Sequence, residues 1–392
     1  CTAILFSVII YMAGNSTRYT EPFIRYYSSV DLTDEATVEN TKILLTSPDK
    51  EKSVMSIEGD CRMVLLSDEY YLPLQTGMKE RFERMKTKLG EAEYNTAMSV
   101  SDTRTDVLVR GRSAFDKNYF SNSRILKTEG SISADMFYYK GALSGTVTNT
   151  TKWNLHNAFV IHKGLIFMIG DLAAGETKTL DQLQNVQLLK SRSVQLDTWQ
   201  MDNPGNTAAV SSVMSGIMDN LSSNISREED MVGGFTMDYD IGVQDSGQIS
   251  SVCGLTLIKS GIEVADSGKG WSSQVMLEPQ EAENEDDLYN FDPLSYLIYG
   301  SDTLNARYIV GDVTGTLYMK WLNKDDLMNV AFYNLSTGVY DTVMEDSDMM
   351  TSEQLKDYIS KDRVIKVRVQ LENMDEDHYM PVFTLSGGEK ND

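Results

Sequence analysis

The sequence predicts a mainly β chain: several β-sandwich modules with one amphipathic helix inserted, after a truncated N-terminal transmembrane segment. Three observations predict it. Apolar runs of about five residues recur between turn residues roughly every eight to twelve positions, the spacing of a sandwich. One stretch, 208–221, breaks this pattern with helical spacing. The opening run Thr2-Ala-Ile-Leu-Phe-Ser-Val-Ile-Ile-Tyr-Met-Ala13 is apolar all round, and no charge appears before Arg18.

That opening run has about 12 apolar residues, against the roughly 20 of a full span. It has no basic n-region, so a signal peptide does not fit. Residues 1–14 are therefore expected to be the outer half of a transmembrane helix cut from a longer protein. Lipid acylation at Cys1 is disfavoured, because an apolar run follows where a polar tether belongs. Beyond it, Tyr11, Tyr19, Phe23, Tyr26 and Tyr27 suit either a membrane-interface belt or the first strand of the next domain.

From Val30 to Leu74 the pattern is β. Lys42–Thr46 ends at Ser47-Pro-Asp-Lys50, which is turn chemistry. Ser53–Ile57 and Arg62–Leu66 follow as short strands. Met78–Ala92 is charged and reads as a helical turn or a long loop. Asp106–Arg110 resumes the strands, and Arg112–Phe120 reads as an aromatic-rich connection.

Gly145–Leu180 is the clearest stretch. Gly145–Thr148 is a strand, Asn149-Thr-Thr151 turns, and Trp153 and Leu155 anchor the turn. Ala158–His162 and Leu165–Ile169 form a hairpin through Lys163-Gly164, where glycine permits positive φ. Val147, Phe159, Ile161, Ile166 and Met168 are expected on its inner face, with His162 exposed and with Val160, Leu165, Phe167 and Ile169 on an opposite face covered by a neighbouring module. Ala174-Gly175-Glu176 turns into Thr177–Leu180. The run "GTVTNTT…L…A…I…G…IGDLAAGETKTL" resembles the Ig-like β-sandwich modules of bacterial envelope proteins. The wider layout, a span followed by "TRYTEPFIRYYS", β modules and a C-terminal "YNLSTGVYD", resembles the exported ectodomain of poorly characterised Gram-positive membrane proteins. That resemblance implies a cell-surface location and carries over no functional residue.

In 208–221, Val210, Val213, Met214, Ile217, Met218 and Leu221 fall at helical intervals, capped by Asn206 or Thr207. Gly233–Tyr239, Cys253–Lys259 and Gly261–Ala265 return to strands. The acidic stretch Glu278–Asp292 reads as a linker. In the last domain Thr314–Trp321 and Asn329–Tyr333 are strands, Asn334–Gly338 turns, and a short capped helix starts at Ser352. In Arg363–Leu371, Val364, Lys366, Arg368 and Gln370 alternate with Ile365, Val367, Val369 and Leu371. Pro381–Leu385 completes the sheet. The domain reading is 1–14 end of the span, 15–190 β-sandwich modules, 191–277 helix plus β region, 278–293 acidic linker and 294–392 C-terminal β domain.

Composition bounds the function. A length of 392 residues implies two or three domains, and 41% hydrophobic residues suffice for real cores. Acidic residues number 58 against 35 basic ones, a formal net charge of -23. Such a surface repels nucleic acid and anionic lipid, so no nucleic-acid partner is expected. Cys1, Cys61 and Cys253 are scattered and form no CxxC, which excludes zinc-ribbon and thioredoxin readings. So few cysteines beside a span suit a Gram-positive surface protein better than a eukaryotic ectodomain.

Few residues carry a chemical signature. His156, His162 and His378 are too few for a His-rich metal site, although His156 and His162 flank one strand and could approach each other. The clusters Asp238/Asp240/Asp245, Glu285/Asp286/Asp287 and Glu345/Asp346/Asp348 lack EF-hand spacing, which leaves only a weak calcium loop open. No nucleophile elbow appears, and Ser267-Gly-Lys-Gly270 lacks the Walker spacing. Sequons at Asn15, Asn149, Asn220, Asn224 and Asn334 matter only in a eukaryotic secretory setting. No catalytic, cofactor-binding or metal residue is assigned. The expected function is a non-catalytic cell-surface ectodomain for binding, sensing or scaffolding, held to the membrane by its N-terminal segment and meeting a protein or carbohydrate ligand. The alternatives are an extracytoplasmic accessory of a transport or envelope-maintenance complex, and a carbohydrate-active hydrolase on a β scaffold.

Overall fold

The computed structural model describes residues 21–47, 52–66, 96–110, 116–139, 142–183, 186–188, 229–244, 249–265, 271–277, 279–283, 296–298, 303–311, 315–342, 344, 349–372 and 378–388. Among these the protein is mainly β, arranged in several sheets, with a single short helix at Ser352–Leu355. The expected span 1–14, the charged stretch Met78–Ala92 and the amphipathic helix at 208–221 lie outside the described residues. No helix among the described residues is long and apolar enough to cross a membrane.

The chain divides into two units: residues 1–129 with 236–258, and residues 130–235 with 259–392. Strands at 236–258 belong with the first unit although they follow far along the chain, a closure that no local pattern encodes.

In the first unit, strands Phe23–Leu32, Thr37–Ser47, Asp116–Leu126 and Cys61–Leu66 lie side by side in that order. Ile24, Tyr26, Ser28, Val30 and Leu32 alternate inward along the first of them, the period of two that pleating imposes. Glu39 and Arg124 point to the same buried face and are direct cross-strand partners. A second sheet orders Val243–Gln244, Lys52–Glu58, Arg104–Arg110 and Thr96–Val100. Asp116–Leu126 corrects the reading of Arg112–Phe120 as a connection. Its sequence DKNYFSNSRIL has polar residues on both faces, so alternation is invisible. Hydrogen bonding to strands on both sides makes it a strand nonetheless.

In the second unit, Val186–Leu188, Leu165–Leu172, Leu155–His162 and Met231–Thr236 are neighbours in one sheet. Another sheet contains Thr177–Leu183, Ala142–Asn149, Ile132–Tyr139 and Val264–Ala265. The expected hairpin forms with Phe159 opposite Met168 and Ile161 opposite Ile166. Lys163 and Gly164 both have positive φ, 50° and 77°, as a twist-matched two-residue turn requires. The face turned to the other sheet is the opposite one. The Tyr138 ring meets Phe167 at 5.8 Å and His162 at 5.0 Å. Val147 shares the Tyr138 face by register, so it does not side with Phe159. His162 is buried, not exposed. Both faces of the hairpin are apolar, and Phe159, Val160, Ile161, Ile166 and Phe167 are all inaccessible. Alternation therefore could not choose the inner side. Gly145 sits at φ 134°, and a Cβ there would press on the Asp135 carbonyl.

Asn149 organises the adjoining turn from a fully buried position. Its Nδ2 donates to the carbonyls of Trp153 and Ala173 at 2.9 and 3.1 Å, and its Oδ1 accepts the Thr151 N–H at 3.0 Å. Gly175 N–H donates to the Asn149 carbonyl at 2.8 Å. The Asn149 sequon is thus a structural side chain.

Farther along, one sheet orders Trp271–Leu277, Phe383–Gly388, Thr316–Trp321 and Met349–Thr351. A five-stranded sheet orders Pro279–Glu283, Thr303–Ile309, Val364–Leu371, Met328–Tyr333 and Tyr340–Thr342. Phe383 joins their facing sides, with its ring 5.4 Å from Tyr308 and 5.6 Å from Phe332. Pro279–Glu283, the beginning of the expected linker, is a strand paired with Thr303–Ile309. Its acidic composition hid that pairing. Residues 284–292 of the linker lie outside the described residues.

Candidate functional site

The five-stranded sheet buries one face through Leu304, Ala306, Tyr308, Ile365, Val367, Val369 and Phe332. Alternation then sends Arg307, Lys366, Arg368, Gln370 and Tyr333 to the other face. Val364–Leu371 behaves as its sequence predicts. What only the fold supplies is the neighbourhood. Tyr340 comes from the edge strand Tyr340–Thr342 and lies opposite Tyr333. Their rings meet edge to face at 5.2 Å.

Each tyrosine carries a cation. The Arg368 guanidinium carbon stands 4.0 Å from the centre of the Tyr340 ring, and the Lys366 ammonium 5.5 Å from that of Tyr333. These are cation–π contacts. Arg368 Nε donates to Asn305 Oδ1 at 3.1 Å, which fixes the plane of the guanidinium. Arg368 itself is half-buried. Among the described residues, neither Lys366 nor Arg368 forms an ion pair with a carboxylate. Arg307 adds a third cation beside Lys366 by register. Glu281 occupies the register position opposite Arg307 on the outer strand. Burial pushes the Tyr340 phenol upward, Arg368 pulls it partly back and Tyr333 raises it further, so it stays neutral at physiological pH. The arrangement can hold an anion: a planar fork of donors, pre-oriented on an aromatic ring, with a point charge alongside.

The other charged clusters serve structure. Arg124 Nε and Nη2 donate to Glu39 Oε2 at 2.9 and 2.7 Å, and Tyr239 donates to the same oxygen at 2.8 Å. Thr41 satisfies Glu39 Oε1 at 2.8 Å. Arg124 Nη2 also donates to the Asp240 carbonyl at 3.1 Å, and Tyr26 donates to the Tyr239 carbonyl at 2.7 Å. Burial first, then Glu39, drives the Tyr239 phenol far above its ordinary range. Burial chiefly pushes Tyr26 up to about 12. Glu39, Arg124, Tyr239 and Tyr26 thus spend their donors and acceptors on one another and on backbone carbonyls.

The structure does not bring the histidines together. His156 Nδ1 lies 3.2 Å from Asp171, His162 Nδ1 2.8 Å from Asp230, and His378 Nδ1 2.7 Å from Asp325. His162 and His378 are both buried. Asp230 also accepts the Val264 N–H at 3.1 Å, which ties the parallel strand Val264–Ala265 in place. Asp240 accepts the Gly242 N–H at 2.7 Å in a turn. Asp245, Glu285/Asp286/Asp287 and Glu345/Asp346/Asp348 lie outside the described residues. Among the described residues no group of His, Cys, Asp or Glu has the makings of a metal site. Asn334 Nδ2 donates to Asp341 at 2.7 Å, and its Oδ1 accepts the Ser336 N–H at 2.9 Å.

A family model described as "Domain of unknown function (DUF8725)" matches residues 131–265. It takes in the paired sheets around Tyr138 and ends before the cation–tyrosine face. No curated protein matches this chain. Among solved structures, a yeast delta-COP-I mu-homology domain complexed with a Dsl1 WxWxV peptide is similar at 6% identity and a TM-score of 0.28. That likeness covers 62% of this chain and 98% of that one. A serine-rich repeat adhesion glycoprotein from Streptococcus agalactiae is similar at 7% identity and a TM-score of 0.14, covering 95% and 88%. Both scores are far below those of a shared fold.

Proposed function

We propose that this chain is a non-catalytic binding module on a bacterial cell surface, of Gram-positive type, held to the membrane by its N-terminal segment. Its facing sheets act as Ig-like sandwich modules, and the C-terminal five-stranded sheet presents the ligand face. One observation carries the binding part of this reading. In a chain with a net charge of -23, Lys366 and Arg368 stand on tyrosine rings with no carboxylate partner among the described residues. An exposed cation in such a chain has an abundance of acidic residues to pair with. Two that stand on aromatic rings with no carboxylate partner among the described residues fit a role toward an outside anion. The apolar, charge-free run at 2–13 supports membrane attachment.

Two measurements test the reading. After carbonate washing the full chain is expected in the membrane pellet, and protease added to intact cells is expected to cut it. Recovery in the soluble fraction would overturn the location. For binding, the full chain is passed over immobilised polyanions of several classes, alongside the triple variant Arg307→Gln, Lys366→Gln, Arg368→Gln. Retention of the wild type and loss in the variant is the expected result. No retention on any polyanion would overturn the binding role.

A further inference from the structure

We infer that the partner of the Tyr333/Tyr340/Lys366/Arg368 face is an acidic polysaccharide, a sugar polymer bearing carboxylate or sulfate groups. This rests on the binding reading above and names its ligand class. Charge complementarity supplies the first step. Lys366 and Arg368 put two cations on one face of an inner strand, with Arg307 beside Lys366 and Glu281 opposite Arg307 by register. At physiological ionic strength charges beyond about 8 Å are largely screened. An approaching chain of anions therefore responds to this stripe more than to the acidic remainder of the molecule.

The backbone narrows the class. Val364–Leu371 is an inner strand, hydrogen-bonded to Thr303–Ile309 on one side and Met328–Tyr333 on the other. Its main-chain groups are consumed, so an acidic peptide has no strand to join beside Lys366 and Arg368. Strand addition, the usual way a sheet takes a peptide, is open only at an edge strand such as Tyr340–Thr342. Single-stranded nucleic acid binds through aromatic faces on which bases stack. One face of each of the Tyr333 and Tyr340 rings already carries a cation, Lys366 and Arg368, and the two rings meet edge to face, so fewer ring faces remain for a base to stack on.

Side-chain chemistry selects among the remaining polyanions. Beside the cations the same face carries neutral hydrogen-bonding groups: Gln370, Asn329 and Thr342, the last donating to Asn329 at 3.2 Å, and the two phenols. Carboxylate or sulfate groups match the Arg368 fork, and sugar hydroxyls match the amides and phenols. The face is an open sheet surface, which suits an extended polymer lying across it.

The test is a titration of the full chain at about physiological salt with five probes: alginate, dextran sulfate, neutral dextran, polyglutamate and single-stranded DNA. Alginate or dextran sulfate is expected to bind at least about tenfold more tightly than polyglutamate or DNA, and neutral dextran not to bind. Arg368→Lys keeps the charge and loses the fork, so it is expected to weaken binding about tenfold or more. Lys366→Gln is expected to weaken it less. Lys152→Gln, which removes a cation elsewhere in the chain, is expected to leave it unchanged. Unaltered thermal melts of all variants show that the effect is on binding. Polyglutamate or DNA binding as tightly as both polysaccharides would overturn this inference and leave the binding reading standing. Binding of no probe would overturn both. Polysaccharide binding that survives Arg368→Lys and Lys366→Gln unchanged would overturn the assignment to this face.

Discussion

Two arginines, one in each unit, stand in opposite surroundings. Arg124 is buried, and its donors end on Glu39 and on backbone carbonyls. Arg368 stands half-buried on the other face of its sheet from the core, braced by Tyr340 and Asn305. Both lie on central strands, and both are cross-strand neighbours of polar residues. What separates them is the face they occupy. A buried guanidinium must be fully satisfied within the protein, because an uncompensated charge there is costly. A half-buried one is free to be held in shape and left available. Charge alone says nothing of role, and burial decides it.

The largest effect expected from this comparison is in the first unit. Glu39→Ala leaves Arg124 buried without its carboxylate and is expected to cost about 3–5 kcal/mol. Replacing both residues with apolar ones of similar size is expected to recover most of the loss. Denaturant melts of the single and double variants measure it, and a double variant no better than the single would break the account of a self-contained pair.

Gly242→Ala comes next. Gly242 has φ 73°, and a Cβ there would meet the Arg124 guanidinium. Left-handed backbone strain alone costs about 1–2 kcal/mol, and displacement of Arg124 adds to it. A thermal melt reads the sum, and a neutral result would mean that the guanidinium has room to move.

The tyrosines around Glu39 make the first unit sensitive to alkali. The folded-state phenols of Tyr26 and Tyr239 lie above the ordinary value of about 10, Tyr26 at about 12. The fold therefore holds them protonated while the unfolded chain releases its protons. Their contribution is full below about pH 10 and falls as pH rises from there through about 12. Melts on the alkaline side are expected to show a steeper loss than in the Tyr239→Phe variant, and equal slopes would remove the linkage.

The smallest effect is at the other arginine. Arg368→Gln is expected to change stability by less than about 0.5 kcal/mol, in contrast to its effect on binding. A large destabilisation would place Arg368 with Arg124 among the structural arginines.

Much of the second unit was legible in the sequence. The Lys163-Gly164 hairpin, the Trp153 and Leu155 anchors and the alternation of Val364–Leu371 follow from local pattern. Lys366 and Arg368 were visible as residues on one face of a strand. Their tyrosines were not, since Tyr333 and Tyr340 reach that face from other strands. The strand Asp116–Leu126 was illegible because its polar residues repeat on both sides, and Pro279–Glu283 because acidic composition resembles a linker.

By itself the sequence determined the mainly β character, most strand positions and the two-residue hairpin turn. These are local properties, set by alternation, by branched and aromatic residues and by the backbone freedom of glycine. Only the tertiary structure decided which face of the Leu155–His162 hairpin looks inward, that His162 meets Asp230, that Glu39 pairs with Arg124, and that Arg368 rests on Tyr340. Each of these joins residues far apart in the chain through strand register. Register is set by the packing of whole faces, which no single stretch of sequence contains.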